Sequence, residues 1–286
     1  ITGKEGQKAA KQMLAYHSNM VGGVRPGKAG EEVEGKPVFD TVQHLIDALG
    51  LPIESLVSAV YVPPFAAKAA IMEAIDAGVP QINVIIERIP IKDTAYCLAA
   101  AKERGVQIIG PSSLGYIAPG IGRIGVVGGL LDLVEQIYEP GSIGIISRSG
   151  GMTNELAWQV RKAGMGQSTA VHVGGDLLMG TTYADLLKEF EKDEQTKAVI
   201  VFGEHGGSYE FDIVDMVERG EYTKPLAVYV GGKFAETLPE GMNIGHAGAI
   251  VERGKGAKEK EVALRGAGVM VASRYEELVA LVKPYS

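Results

Sequence analysis

A single histidine among small residues, Gly245-His246-Ala247-Gly248-Ala249-Ile250, is the segment of this chain best suited to covalent chemistry. Small neighbours leave an imidazole bare enough for a bulky group, such as a phosphoryl, to reach it. Upstream, Gly203-Glu204-His205-Gly206-Gly207 places a carboxylate at the end of the apolar run Ala198 to Phe202. A carboxylate that accepts the Nδ1 proton fixes the imidazole tautomer and leaves Nε2 as the nucleophile. His246 and Glu204 are therefore the expected catalytic pair, and a phosphohistidine is the chemistry they suit. A third segment, Ser147-Arg148-Ser149-Gly150-Gly151-Met152-Thr153-Asn154-Glu155, reads as a strand end, a glycine turn and a helix start. The dipole and free N–H groups of such a start, at Ser149, Gly150 and Gly151, suit a phosphoryl group.

These segments need a scaffold of strand ends. Apolar, β-branched runs are expected as strands at Met20–Val24, Ser58–Val62, Ile82–Ile86, Gln107–Gly110, Ser142–Ser147, Thr169–Val173, Ala198–Gly203, Leu226–Val230 and Val269–Ala272. Between them, helical patterns run through Gly6–Tyr16, Asp40–Leu49, Ala66–Asp76, Asp93–Lys102, Asn154–Lys162, Tyr183–Lys192 and Tyr275–Val282. Strand, glycine loop and helix in repetition imply α/β architecture, with parallel sheets covered on both faces and ligand loops at the strand carboxyl ends. Gly and Pro break the rhythm between Pro111 and Tyr138. A domain boundary is placed there, giving an N-terminal domain over 1–124 and a second over 125–286. The chain opens Ile1-Thr2-Gly3-Lys4-Glu5-Gly6, a glycine turn leading straight into a helix. A Rossmann domain sets its first, central strand before such a turn, so the natural protein is expected to carry roughly 10–15 residues upstream.

Composition narrows the function. The chain has 286 residues with 46% hydrophobic, so it can build an extensive core. A net charge of −7 offers no basic surface for nucleic acid. Its one cysteine, Cys97, permits neither a disulfide framework nor a cysteine metal cluster and fits a reducing cytoplasm. No apolar run reaches the roughly 18 residues that suggest a membrane span. His205 and His172 do not have diagnostic metal-ligand spacing, so no metal site is expected. Val24-Arg25-Pro26-Gly27-Lys28 places cations at a strand end where phosphates could lie.

Taken in order, ITG-x-x-G, GGV-x-PGK, YVP, a glutamate before I-P, GP-x-x-x-G, SRSG, GGD, GE-x-GG and GHAGAI resemble the α subunit of the succinyl-CoA synthetase family, the nucleotide-forming acyl-CoA ligases, over essentially the whole chain. The resemblance implies a Rossmann-like CoA-binding domain followed by a flavodoxin-like domain bearing the phosphohistidine. It also implies a hetero-oligomer with a grasp-domain β subunit that binds ATP or GTP with Mg²⁺. Carried over by residue, it implies CoA contacts at Thr2, Gly3, Lys4, Glu5, Lys28, Ile85, Ile86 and Glu87. It implies phosphorylation of His246, orientation by Glu204 and a phosphate cradle at Ser149 and Gly150.

Departures from the succinate enzymes concentrate near the acid. Their GPNCPG turn is Gly110-Pro111-Ser112-Ser113-Leu114-Gly115 here, and the tyrosine of their SRSGTLTYE is Asn154. They also lack Val127-Gly128-Gly129-Leu130-Leu131-Asp132. These features look instead like citryl-CoA synthetase and the corresponding module of ATP-citrate lyase, and they imply citrate binding at Gly128, Gly129 and Asn154. An asparagine in place of tyrosine makes room and supplies a donor and an acceptor for a larger, hydroxylated acid. The resemblance thus implies an ADP-forming citrate–CoA ligase of tricarboxylic acid metabolism, with a succinate ligase as the alternative.

Overall fold

The computed structural model describes residues Ile1–Ser286. Its strands are β1 (Gly23–Val24), β2 (Glu32–Val33), β3 (Lys36–Phe39), β4 (Val57–Val60), β5 (Gln81–Val84), β6 (Gln107–Ile109), β7 (Gly115–Ala118), β8 (Gly122–Gly125), β9 (Pro140–Ser147), β10 (Gln167–His172), β11 (Ala198–Glu204), β12 (Leu226–Gly231) and β13 (Met270–Val271). The α-helices are α1 (Lys4–Ala15), α2 (Val42–Leu49), α3 (Ala67–Asp76), α4 (Ile91–Glu103), α5 (Leu131–Ile137), α6 (Gly150–Lys162), α7 (Tyr183–Lys192), α8 (Tyr209–Glu218), α9 (Ala257–Gly266) and α10 (Glu277–Val282).

The first half holds two three-stranded sheets, β1-β3-β2 and the parallel β4-β5-β6. Helices α3 and α4 cover the latter with Ile71, Ile75, Cys97 and Ala101, around the strand residues Ile82, Val84 and Ile108. The second half is a seven-stranded sheet of order β13-β12-β11-β9-β10-β7-β8. Its central strands alternate between two cores. Ile146, Val199, Val201, Val228 and Val230 meet Leu187, Phe190, Ile213, Met216 and Leu264 of α7, α8 and α9. Ile143, Ile145, Ile200 and Ala227 meet Val134, Leu156, Val160 and Leu278 of α5, α6 and α10 on the other face. A strand buried on both sides reads as a continuous apolar run, which is why β9, β11 and β12 are visible in the sequence. The fold is thus a Rossmann-like half followed by a doubly wound half. No helix is long and apolar enough to cross a membrane.

The antiparallel hairpin β7–β8 is an addition that periodicity does not reveal. β7 pairs antiparallel with β10, which carries the hairpin onto the larger sheet, and position 124/125 lies within β8. Its strands are short and interrupted by glycine, the opposite of an apolar run. Those glycines are structural. Gly125 has φ +90, and a Cβ there would run into the Leu114 carbonyl and Gly115. Gly105, with φ +68, faces open space. Gly105→Ala is expected to cost roughly 1 kcal/mol from backbone strain alone. Gly125→Ala should cost roughly 2–4 kcal/mol, because overpacking adds to that strain. Urea unfolding of both variants checks this; equal costs would show that the hairpin moves aside freely.

Candidate active site

Parallel pairing puts the carboxyl ends of β9, β10, β11 and β12 on one edge of the larger sheet, and the chemistry gathers there. Glu204 ends β11. His246 rides on the loop between β12 and α9, pinned by a short Asn243–Ile250 bridge and by Asn243 Nδ2, which donates to the His246 carbonyl at 2.7 Å. His246 Nδ1 donates to Glu204 Oε2 at 2.6 Å. Nε2 is left with no partner in the chain, and the side chain is 40% exposed. This is the geometry of an oriented nucleophile. The Glu204 hydrogen bond raises the His246 pKa above its ordinary value, against the lowering effect of partial burial. The charge of Glu87, in the loop that follows β5, acts in the same direction.

The small residues around His246 do more than bare the ring. A Cβ on Gly175 would overlap the imidazole, and one on Gly248 would strike Arg148 and the Asp176 carbonyl. The Gly248 N–H donates to the Gly175 carbonyl at 3.1 Å, locking the histidine loop to the loop after β10.

Behind the pair lies a buried polar frame that sequence reasoning missed. Arg148, 1% exposed, sets Nε 3.0 Å from Glu204 Oε1 and donates from Nη2 to the Asp176 carbonyl at 2.8 Å. Lys260 is fully buried and pairs with the equally buried Glu210 at 2.6 Å. Lys260 Nζ also donates to the carbonyls of Glu204 (2.8 Å) and Gly206 (2.6 Å), while Glu210 Oε1 accepts from the Glu204 N–H at 3.1 Å. Both polar groups of the Glu204 peptide are thereby held by one ion pair. Nothing in the sequence signals it, because Lys260 lies between Glu259 and Glu261 and reads as an ordinary charged helix position.

Helix α6 begins beside this frame. Ser149 is its N-cap, its hydroxyl accepting from Met152 N at 3.4 Å, and the N–H groups of Gly150 and Gly151 have no acceptor in the chain. A side chain at Gly150 would overlap Leu114, whereas Gly151 faces open space. Asn154, one turn on, accepts at Oδ1 from the Gly128 N–H (3.1 Å) and the Tyr138 hydroxyl (2.8 Å). A backbone N–H can only donate, so the amide orientation is fixed and Asn154 shows its NH₂ outward. Gly128 adopts φ +83, and a Cβ there would collide with Val134 and crowd Tyr138. The cleft lined by Gly151, Asn154, Leu133 and Trp158 has a volume of about 300 Å³. A separate cavity of about 560 Å³, between α4–β6 and the start of α7, contains none of the expected site residues.

The expected CoA residues fall at the edge of the first half. Gly3 is the N-cap of α1, Lys4 and Glu5 lie in its first turn, and Thr2 Oγ1 accepts from Arg25 at 2.7 Å. Lys28 pairs with Glu31 on the surface. Ile85, Ile86 and Glu87 follow β5, and Ser112 donates to Glu87 at 3.2 Å. His172 has both ring nitrogens engaged, accepting from Leu114 N at 2.8 Å and meeting the Arg148 carbonyl at 3.0 Å; burial takes its pKa down to about 4. His205 is buried with neither ring nitrogen partnered. No group of three or more potential ligands gathers to hold a metal.

Below its raised pKa, His246 takes a second proton on Nε2 and ceases to be a nucleophile, so activity should fall on the acid side. Because the folded pKa is raised, the ionic His246–Glu204 contact stabilises the fold below the unfolded value and is lost as pH climbs through the folded one. Glu204→Gln should move the His246 titration down toward 6.5, read by NMR, and cut activity roughly 10²–10⁴-fold through loss of the tautomer. Lys260→Met should lose about 3–5 kcal/mol of stability and lower the His246 pKa as well. Leu264→Ala, on the same helix, should destabilise by about 2–5 kcal/mol without moving that titration. Equal effects on the titration from both would refute the frame.

Residues 1–88 match the CoA-binding domain model and residues 146–270 the CoA-ligase model. The chain is 41% identical over 284 residues to subunit alpha 2 of an ADP-forming succinate–CoA ligase from Archaeoglobus fulgidus, covering 99% of this chain and 93% of that one. It is 39% identical over 284 residues to an ADP-forming sulfoacetate-CoA ligase subunit from Bilophila wadsworthia, covering 99% and 94%. The solved ATP citrate lyase of Methanothrix soehngenii, in complex with citrate and coenzyme A, superposes with a TM-score of 0.91 at 25% identity. That match covers 99% of this chain and 48% of the solved one, so this chain spans about half of that protein. The chain belongs to the CoA-ligase family whose members include the α subunits of ADP-forming succinate–CoA ligases.

Proposed function

We propose that this chain is the α subunit of a cytoplasmic citrate–CoA ligase, active with a β subunit that holds ATP or GTP and Mg²⁺. In the first step His246 Nε2 attacks the γ-phosphoryl of the nucleotide and the nucleoside diphosphate leaves. Glu204 keeps the proton on Nδ1 and balances the charge that develops on the ring. The phosphohistidine is then set against the N–H groups of Gly150 and Gly151 at the start of α6, which suit the phosphoryl oxygens. A citrate carboxylate takes the phosphoryl, forming citryl phosphate and freeing His246. The CoA thiol attacks the acyl carbon, and inorganic phosphate leaves as citryl-CoA forms. Thr2, Gly3, Lys4 and Glu5 at the α1 N-terminus, with Lys28, suit the phosphates of CoA; Ile85, Ile86 and Glu87 lie where its arm would approach His246.

The observation that favours citrate is the fixed carboxamide of Asn154 beside the open Gly151. Its outward NH₂ can donate to a carboxylate, and the missing side chain at position 151 leaves room for a branched acid. Gly128 supports this arrangement through Asn154, since its own N–H is already committed to Oδ1. Gly129, on the same turn, has open space before it apart from Leu133. A succinate reading rests on a different observation, the 41% and 43% identity to succinate–CoA ligase α subunits from Archaeoglobus fulgidus and Aquifex aeolicus. Thioester formation by the αβ complex with ATP and CoA, comparing citrate and succinate, separates the two. Turnover of citrate with little of succinate is the expected result; the reverse would leave a succinate ligase with an altered cleft.

A further inference from the structure

We infer that Arg123 is a positioning residue that holds the acid cleft in register with the CoA-binding half, an inference that rests on assigning Asn154 and its supporting turn to the acid. Arg123 sits on β8, is 2% exposed and forms no ion pair with a carboxylate. Its guanidinium is spent entirely on carbonyls. Nε and Nη2 donate to the Gln12 carbonyl at 3.2 and 2.7 Å, and Nη1 donates to the carbonyls of Val127 and Gly129 at 2.9 and 2.8 Å.

The two ends of this fork belong to different parts of the proposed reaction. Gln12 lies in the last turn of α1, the helix whose first turn contains the expected CoA residues. Its carbonyl is at the negative end of that helix, where a cation is favoured. Val127 and Gly129 flank Gly128, the residue whose N–H fixes the Asn154 amide. One side chain therefore ties the end of the CoA helix to the turn that aims the acid-facing donor. The backbone adds a second tie, since Ser18, just beyond α1, donates to the Arg123 carbonyl at 2.5 Å and accepts from its N–H at 3.1 Å.

The chemistry explains why a guanidinium is used. Its N–H groups diverge in a rigid plane and can grip two separate carbonyl sets at once, whereas a lysine offers one nitrogen. A buried cation without a counter-charge is costly, and burial lowers the pKa of this one, so apolar filling would serve a purely structural purpose better. His246 and its frame lie on other elements and make no contact with this fork. The consequence is a separation of steps. Phosphorylation of His246 does not need the alignment, whereas transfer from the acyl phosphate to the thiol does, because acid and CoA come from the two bodies that Arg123 joins.

The test uses Arg123→Lys and Arg123→Met in the αβ complex and follows two half-steps. One is formation of phosphohistidine from ATP alone. The other is its discharge on adding CoA with citrate or succinate, whichever the wild-type enzyme consumes. The expected result is phosphohistidine formation close to the wild-type rate, with discharge into thioester slowed about 10- to 100-fold and a raised KM for the acid. Parallel loss of both half-steps in the folded lysine variant would reduce Arg123 to a structural role and overturn the inference, as would unchanged discharge in either variant. If the wild-type complex itself forms no phosphohistidine or thioester, the functional reading fails rather than the role of Arg123.

Discussion

The hydrogen bond from His246 Nδ1 to Glu204 Oε2 is the contact on which the remainder of the site depends, and neither partner could maintain it alone. His246 sits on a loop, where backbone freedom would spread the imidazole over many orientations. Glu204 is 12% exposed in its side chain, so its charge must be compensated within the protein. The fold answers both needs with buried charge. Arg148 faces one carboxylate oxygen, and the Lys260–Glu210 pair grips the peptide that carries it. A buried ion pair is a weak source of net stability, but removing one member leaves an uncompensated charge. Such a pair is well suited to enforcing one geometry, and here that geometry is the line from Lys260 through the Glu204 backbone to the imidazole.

Close approach of loops is the second constraint. Four neighbouring strand ends deliver loops to one edge, and these touch through positions where no side chain fits. Gly175 lies against the His246 ring, Gly248 against Arg148, and Gly206 against the carbonyls of Gly248 and Ile250. The first half is brought into contact with this edge as well, with Ser113 Oγ donating to the His172 carbonyl at 2.5 Å. Glycine abundance in this chain therefore reflects packing of the site as much as access to it.

Much of the framework was legible because local and global preferences agree. Strands β9, β11 and β12 are apolar on both faces and stand out as runs; α7 begins at Tyr183 and ends at Lys192 as its pattern indicates, with a Thr182–Asp185 capping box at its start. The pairing of His246 with Glu204 was legible as well, since a histidine in small residues and a carboxylate at a strand end are unusual compositions. What stayed hidden depends on tertiary geometry. Hairpin β7–β8 has no apolar run because glycine is required at its crossings. Tyr138, Arg123, Glu210 and Lys260 have ordinary identities in ordinary helices and strands, and only burial with specific partners distinguishes them. Asn154 was visible as a departure from the succinate enzymes, but the sequence could not show that its carbonyl is consumed internally and only its amide donor remains.

The most direct measurement is the site of covalent phosphate. The complete αβ complex would be exposed to γ-labelled nucleotide without CoA or acid, and the labelled residue identified under alkaline conditions that preserve phosphohistidine. The structure predicts acid-labile phosphate on His246, attached at Nε2, and its absence in His246→Asn. Label on Nδ1, on His172 or His205, or no acid-labile label in a complex that still forms thioester would contradict the central role given to the Glu204–His246 pair.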